Sequence, residues 1–288
     1  MMIERKVSKL YPSRRTRSNT ERAARLGFVL ALHIVLGVGI FLKPVATDWL
    51  GFAGGAVLLG MVGVNVGLHR YFSHKSFKTS RAFQFVLGIL GALVFTDPIA
   101  FAGKHRLHHR HVDTALDVHG PQFGWYQSWI GSLADPGYSA SEIRAQAPDL
   151  IKFPELLFLN RFGVLIALLL FTSLCFFFGL RFASISYLLP VVMSIHAAGI
   201  VNTLGHSWGY RNFASRDTST NSWLAQIFSF GEGWHNNHHA FPTSAQCGFT
   251  LTEWDPVYWI IRALEATGLV WGVRAMPDKA LVELMGDR

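Results

Sequence analysis

Two short stretches carry three histidines each at the same spacing: His105, His108 and His109, then His235, His238 and His239. On a helix turning about 100° per residue, positions i, i+3 and i+4 fall within roughly 100° of arc, so each triplet faces one way. His69 and His74 stand where one long apolar run ends, and Asn202 and His206 where another ends. These places hold nine of the 13 histidines, more than one ion can use. Imidazole ligates zinc, copper, iron and nickel readily. The pattern points to a two-metal site, all or nearly all histidine, at the edge of a membrane.

Neither triplet contains the glutamate of an H-E-x-x-H zinc hydrolase. The paired Glu-x-x-His motifs of soluble di-iron bundles are missing as well. Neutral imidazoles beside a lipid-facing cavity suit dioxygen activation and attack on an unactivated C–H bond. Asp113, Asp117 and Glu232, close to the triplets in sequence, read as anchors for ligand N–H groups. His111 and His119 read either as further partners of that kind or as solvated loop residues. His33 and His196 lie inside apolar runs and read as packing or hydrogen-bonding residues. Cys175 sits in an apolar run and Cys247 just past the last triplet, which suggests neither a disulfide framework nor a thiolate metal site.

The elements that must position these residues are membrane helices. Half the residues are hydrophobic and only 15% charged, and the apolar ones come in long runs rather than stripes. Spans are expected at about 26–46, 49–68, 162–180 and 182–206, each long enough to cross about 30 Å of hydrocarbon. Pro190 is expected to kink the last. The stretch at about 82–102 is also apolar. Two crossings between His74 and His105 would need roughly 40 residues plus a turn, however, and a single crossing would separate ligands that must meet. It is therefore read as one helix lying in the interface. Residues 103–161 and 207–275 form a cytoplasmic helical cap, with Trp254, Tyr258, Trp259 and Trp271 suited to an interfacial belt and Asp255-Pro256 marking a helix start. Residues 276–288 are a C-terminal tail.

The net charge of +8 is concentrated in residues 1–25, where Arg5, Lys6, Lys9, Arg14, Arg15, Arg17, Arg22 and Arg25 precede the first apolar run. The positive-inside rule keeps that segment, and with it both termini and the histidines, cytoplasmic. So many polar residues before any apolar core argue against a cleaved signal peptide. The basic run is expected to contact lipid headgroups, and nucleic acid is not an expected partner. The fold class is an all-α integral membrane protein with four transmembrane helices and a cap holding the dimetal site.

The ordered set H-x4-H, H-x2-H-H, N-x3-H, H-x2-H-H resembles the membrane-bound fatty-acyl desaturases, especially the delta-9, stearoyl-type acyl-CoA and acyl-lipid branch. The likeness runs from about residue 60 to 275. It covers Gly67 to Phe77, His105 to His109 followed by Asp117 and His119, Val201 to His206, and Gly231 to Pro242. The resemblance implies two iron ions, O2 as co-substrate and a cis double bond formed in a saturated acyl chain. It implies that His69, His74, His105, His109 and His238 hold one iron. His108, His206, His235 and His239 would hold the other, with Asn202 reaching it through a water. No amino-acid base is required.

At family positions that shape the bend of the acyl tunnel, many members carry Gln and Trp ahead of the second motif and Thr ahead of the span's Asn. Here Phe95, Phe101 and Ala198 stand there; the double bond implied is delta-9-like, and these three residues are expected to set its position. The acyl chain would arrive on CoA, lipid or carrier protein. No haem-binding cytochrome segment is recognisable, so electrons are expected from a separate ferredoxin, rubredoxin or cytochrome b5 type protein. The host membrane would be a bacterial inner membrane or the endoplasmic reticulum. A hydroxylase on the same scaffold is the nearest rival. A metal transporter or sensor is the remote one, disfavoured because acids are missing from the spans and the ligands gather at one depth.

Overall fold

The computed structural model describes residues 17–278, together with 280 and 282. Arg5, Lys6, Lys9, Arg14 and Arg15, and most of the expected 276–288 tail, lie outside the described residues. What is described is almost entirely helical.

Helix α1 (Asn19–Ile40) starts well before the expected residue 26, because Ser18 and Glu21 form a reciprocal capping box around its first turn. It ends before the expected residue 46, at the turn that carries Lys43 and Pro44, since proline cannot continue a helix. Helix α2 (Asp48–Ser73) follows and widens to π geometry from Ala56 onward. π segments inside helices are often found at functional sites, and this one ends at the first histidines.

The expected interfacial helix at 82–102 is two helices, α3 (Arg81–Ala92) and α4 (Pro98–His111). Asp97 caps the second one, accepting from Ala100 N at 2.9 Å, with Pro98 in the first turn where its missing N–H costs nothing. The sequence Asp97-Pro98 thus opens a new helix rather than ending an old one. The 12 residues of α3 rise about 18 Å, too little to cross the hydrocarbon. His74 and His105 accordingly remain on the same side.

Helix α5 (Pro154–Ala183) and helix α6 (Leu189–Leu204) are joined through a π turn, Ser184–Leu188. Among the described residues, three stretches are long and apolar enough to cross a membrane: Asn19–Ile40, Asp48–Ser73 and the 51-residue Pro154–Leu204. The third doubles back, because Gly179 sits at φ 84°, ψ 159°, a region open mainly to glycine. Its two ends both lie on the histidine side: Arg81 pairs bidentately with Glu155 near one end, and His206 follows the other. Its middle meets the α1–α2 turn, where Arg181 bonds Asp48 Oδ2 at 2.7 Å and the carbonyls of Ile40 and Leu42 at 2.6 Å. One arginine therefore ties two helical hairpins together at the end opposite the histidines.

The remaining elements are short. Helices α7 (Trp223–Phe228), α8 (His235–Ala240) and α9 (Pro256–Ala266) lie in the cap, and Asp255 caps α9 through Tyr258 N. An antiparallel pair, β1 (Lys78–Thr79) with β2 (Val270–Trp271), fastens the loop after His74 to the segment that follows α9. Trp254, Trp259 and Trp271 are exposed, while Tyr258 is half-buried. The largest apolar cluster lies between α2, α3, α5 and α6 and reaches Val257 and Ile261 on α9, with smaller ones around Leu107 and around Phe213. Both cysteines are free.

Candidate metal centre

The two triplets lie on α4 and α8, and helical geometry divides each of them in the same way. Relative to its first histidine, the fourth residue of the run points about 60° to one side and the fifth about 40° to the other. His105 and His109 leave α4 together while His108 turns away. On α8, His235 and His239 leave together and His238 turns away. The helices face each other in opposite senses, so each odd histidine joins the other helix's pair.

In the first group the imidazole Nε2 atoms converge. His105 Nε2 is 2.7 Å from His74 Nε2 and 3.0 Å from His109 Nε2. His238 Nε2 is 3.0 Å from His109 Nε2 and 3.1 Å from His69 Nε2. One proton per ring cannot satisfy so many facing nitrogens; a cation at their centre would. In the second group, one donor atom each from His108, His206, His235 and His239 lies within 4.8 Å of every other. His235 Nε2 and His206 Nε2 are 3.0 Å apart. His108 Nε2 and His239 Nε2 are buried without a hydrogen-bond partner among the described residues. Orphaned buried nitrogens of this kind cost free energy unless something fills the space between them.

Carboxylates approach the opposite nitrogen of four of the rings, two of them through hydrogen bonds. His108 Nδ1 donates to Asp117 Oδ1 at 2.8 Å and His239 Nδ1 to Asp217 Oδ2 at 2.9 Å. His69 Nδ1 lies 2.9 Å from Glu232 Oε2, and His206 Nδ1 3.5 Å from Asp113 Oδ1. A proton drawn to Nδ1 leaves the Nε2 lone pair free to face inward. Burial, followed by the neighbouring His206, pushes His108 down to about 3. His235, His238 and His239 are likewise held well below the ordinary histidine range by burial and by one another. These four rings are therefore neutral ligands at physiological pH. Nitrogen donors with no thiolate among them fit iron as well as zinc or copper.

His119 stacks on His108 with ring centroids 4.4 Å apart and forms a third cluster with His108 and Asp117. His111 is in neither group. His33 and His196 bond each other at 2.9 Å between Nε2 atoms, and Trp129 Nε1 donates to His196 Nδ1 at 3.0 Å. That donation fixes the chain of protons: His196 gives to His33, which gives from Nδ1 to Val29 O at 2.7 Å.

Sequence spacing missed Asp217, 22 residues before His239 in a polar loop with no motif around it. Ser215 and Ser219 hydroxyls orient its other oxygen. Spacing also missed the back of α8. Asn236 and Asn237 point away from the histidines, into a buried network. Asn237 Nδ2 donates to Glu253 Oε2 at 2.8 Å and Asn236 Nδ2 to Phe213 O at 3.0 Å. A helix of 6 residues has no stability of its own, so this network holds the triplet in place. Arg70, fully buried, clasps Glu232 through two nitrogens and donates to Ala245 O. Its sequence signal was only adjacency to His69.

A mostly apolar cavity opens onto both groups, between α2 and α6. His69, His105, His108 and His235 line one end of it, with Phe101, Ala198 and Asn202 beside them. Asn202 Nδ2 is 3.4 Å from Ser128 O. Phe95, expected at the same bend, is elsewhere. It holds φ 58° in the α3–α4 break, its ring against Phe28 at 5.1 Å and Tyr187 at 6.4 Å. There it lines a second cavity of 280 Å³ together with Arg17, Arg25 and Lys104. Tyr187 Oη donates to Leu93 O at 2.6 Å and secures that break.

A family model for fatty acid desaturases matches residues 47–263. The chain is 34% identical over 257 residues, 88% of this chain and 93% of the relative, to sn-1 stearoyl-lipid 9-desaturase of Anabaena variabilis. It is 37% identical over 220 residues, 75% of this chain and 72% of the relative, to Delta-9 acyl-lipid desaturase 1 of Arabidopsis thaliana. Icosanoyl-CoA 5-desaturase of Limnanthes douglasii is 30% identical over 284 residues, 97% of this chain and 79% of the relative.

Proposed function

The chain belongs to the fatty acid desaturase family and is an oxidoreductase of the acyl-lipid and acyl-CoA desaturase kind; from that premise we propose that it inserts a cis double bond into a saturated acyl chain at a di-iron centre. The observation that carries the reading is the convergence of imidazole nitrogens in two groups at one end of an apolar cavity. His69, His74, His105, His109 and His238 would hold one iron. His108, His206, His235 and His239 would hold the other, with Asn202 beside it. The irons would supply the activation of O2 needed to take hydrogens from two adjacent methylenes. The balance is one O2, two electrons and two protons, with the two hydrogens of the substrate leaving in water. A separate ferredoxin, rubredoxin or cytochrome b5 type protein would deliver the electrons.

The protein's own share is positioning. The apolar walls exclude water and hold two methylenes near the histidines, so reaction is intramolecular in effect. Phe101 and Ala198 flank the place where the chain must pass, which supports a role for them in choosing the bond. The second cavity, bordered by Arg17, Arg25 and Lys104, suits an anionic head group. Four crossings are supported by the two hairpins that Arg181 joins, with the histidine side cytoplasmic by the positive-inside rule. Asp117, Asp217, Asp113 and Glu232 hold the imidazoles in the ligating tautomer, and no carboxylate is required between the irons.

The test is expression in a host with a defined fatty-acid composition, with iron counted in the purified protein and fatty acids identified by mass spectrometry. Two irons per chain and a new monounsaturated acid are the expected result. An added oxygen atom in place of a double bond would make the protein a hydroxylase, and a single ion per chain would overturn the two-site assignment.

A further inference from the structure

Four non-glycine residues hold positive φ among the described residues, and of these only Phe230, at φ 60°, lines the histidine cavity. A bulky side chain in the left-handed region is strained and persists only where its surroundings over-determine it. Asn65 does that here. Its Nδ2 donates to Ser229 O at 3.1 Å and to Phe230 O at 3.2 Å, gripping the backbone on both sides of the strained residue. Asn65 is buried in the apolar helix α2, where a polar side chain is costly and marks function.

The conformation sends the Phe230 ring onto Gly60. A Cβ placed at Gly60 would lie 3.1 Å from Phe230 Cδ2 and 3.2 Å from Cε2. Gly60, Val64, Asn65 and His69 share the wall that α2 gives the cavity. From His69 back to Gly60 is at most about 13 Å at 1.5 Å per residue. On the facing wall α6 runs from Asn202 back to Ser194. The cavity thus has a histidine end and an apolar end, and the Phe230 ring over Gly60 lies at the apolar end.

We propose that Phe230, gripped by Asn65 and seated on Gly60, sets how far an acyl chain extends beyond the histidine groups, and thereby which chain length is accepted. The inference rests on the desaturase reading. Phe101 and Ala198 stand by the histidines and bear on where along the chain oxidation falls. Phe230 bears on how much chain fits past that point. Asn65 acts through Phe230 and is a positioning residue.

The experiment supplies palmitoyl, stearoyl and longer saturated chains to a host making the full chain, and measures unsaturated products with the iron content of each variant. One methylene in an apolar pocket is worth roughly 10–200-fold in discrimination. Phe230→Ala should raise the ratio of longer to shorter products by about 10-fold or more, and Phe230→Leu should move it the same way by less. Gly60→Ala, which pushes on the ring, should move it toward shorter chains. Combining Gly60→Ala with Phe230→Leu should return it toward the starting value, as coupled neighbours do. Asn65→Asp keeps the side-chain size, loses both donated bonds and should broaden the product range. An unchanged ratio in Phe230→Ala at full iron content overturns the inference while leaving desaturation intact. If that variant fails to accumulate, Phe230→Leu is judged by the same criterion. An unmodified protein that desaturates no chain of any length removes the desaturase reading itself.

Discussion

The histidine group around His69 gathers five imidazoles, while the group around His206 gathers four and has Asn202 nearby on the cavity wall. Behind the five stands one carboxylate, Glu232, itself clasped by the buried Arg70. Behind the four stand three aspartates, Asp113, Asp117 and Asp217, all in loops of the cap. The first group draws its rigidity from helix ends. Arg106 extends this by pairing bidentately with Asp149 and bonding the carbonyls of Phe72 and Ser73 next to His74. Burial would raise the Asp149 carboxyl, but hydrogen bonds from Arg106 and Lys75 hold it down to about 2. The second group draws its rigidity from loop carboxylates acting through ring N–H groups. One histidine group therefore depends on how helices pack, and the other on how the cap loops fold.

The largest effects should come from the ligands themselves. His105→Ala and His235→Ala should each abolish detectable product, and each variant should retain about one iron, the former losing the five-histidine ion and the latter the four-histidine ion. Iron content by elemental analysis decides it, and full activity in either variant would break the site. The anchors come next and separate the two groups. Asp217→Asn should cost 10–100-fold in activity or in affinity for one ion, the usual range for a lost ligand partner, with little change in thermal stability. Glu232→Gln should cost a similar factor in activity and also lower Tm, because it leaves buried Arg70 without its counter-charge, a loss of about 3–5 kcal/mol. Equal Tm values for the two variants would show the comparison to be misdrawn.

Asn202→Ala should reduce turnover by no more than about 10-fold, the low end of the range for an outer partner, while both irons stay bound. Loss of one iron would make Asn202 a direct ligand. The smallest effect belongs to His33→Ala. It removes two hydrogen bonds, each worth about 1 kcal/mol, at a pair outside both histidine groups. Product yield should stay near that of the unmodified protein, with Tm slightly lower. A yield below about a tenth, a loss in the range expected for an anchor, would tie the His33–His196–Trp129 chain to the metal centre.

Much of the centre is legible in the chain itself. The i, i+3, i+4 spacing names six of the imidazoles. The apolar runs place the other three at helix ends, and Asp113, Asp117 and Glu232 lie close enough in sequence to a histidine to be recognised. Asp217 was not legible, nor were Glu253 and the asparagines behind α8. They meet their partners through folds of the cap loops, and a hydrogen bond across such a loop leaves no periodicity. Phe95 is a different case. The family resemblance, not its own spacing, put it at the tunnel bend. The Asp97 cap instead starts a new helix and turns Phe95 toward α1.

By itself the sequence determined that histidines gather at the ends of apolar helices and that α3 must not cross. Both follow from local quantities, the angle per residue and the rise per residue, which tertiary context barely alters. The sharing of each triplet between two groups was implied by the resemblance alone, and its physical cause is the facing of α4 and α8. That facing is set by helix packing and by the asparagine network, whose partners are distant in sequence. The doubling back expected between 180 and 182 takes place at Gly179, and Arg181 fixes it against the α1–α2 turn. The strained seat of Phe230 on Gly60 was likewise decided by tertiary structure, because Asn65 reaches it from a helix more than 160 residues earlier in the chain.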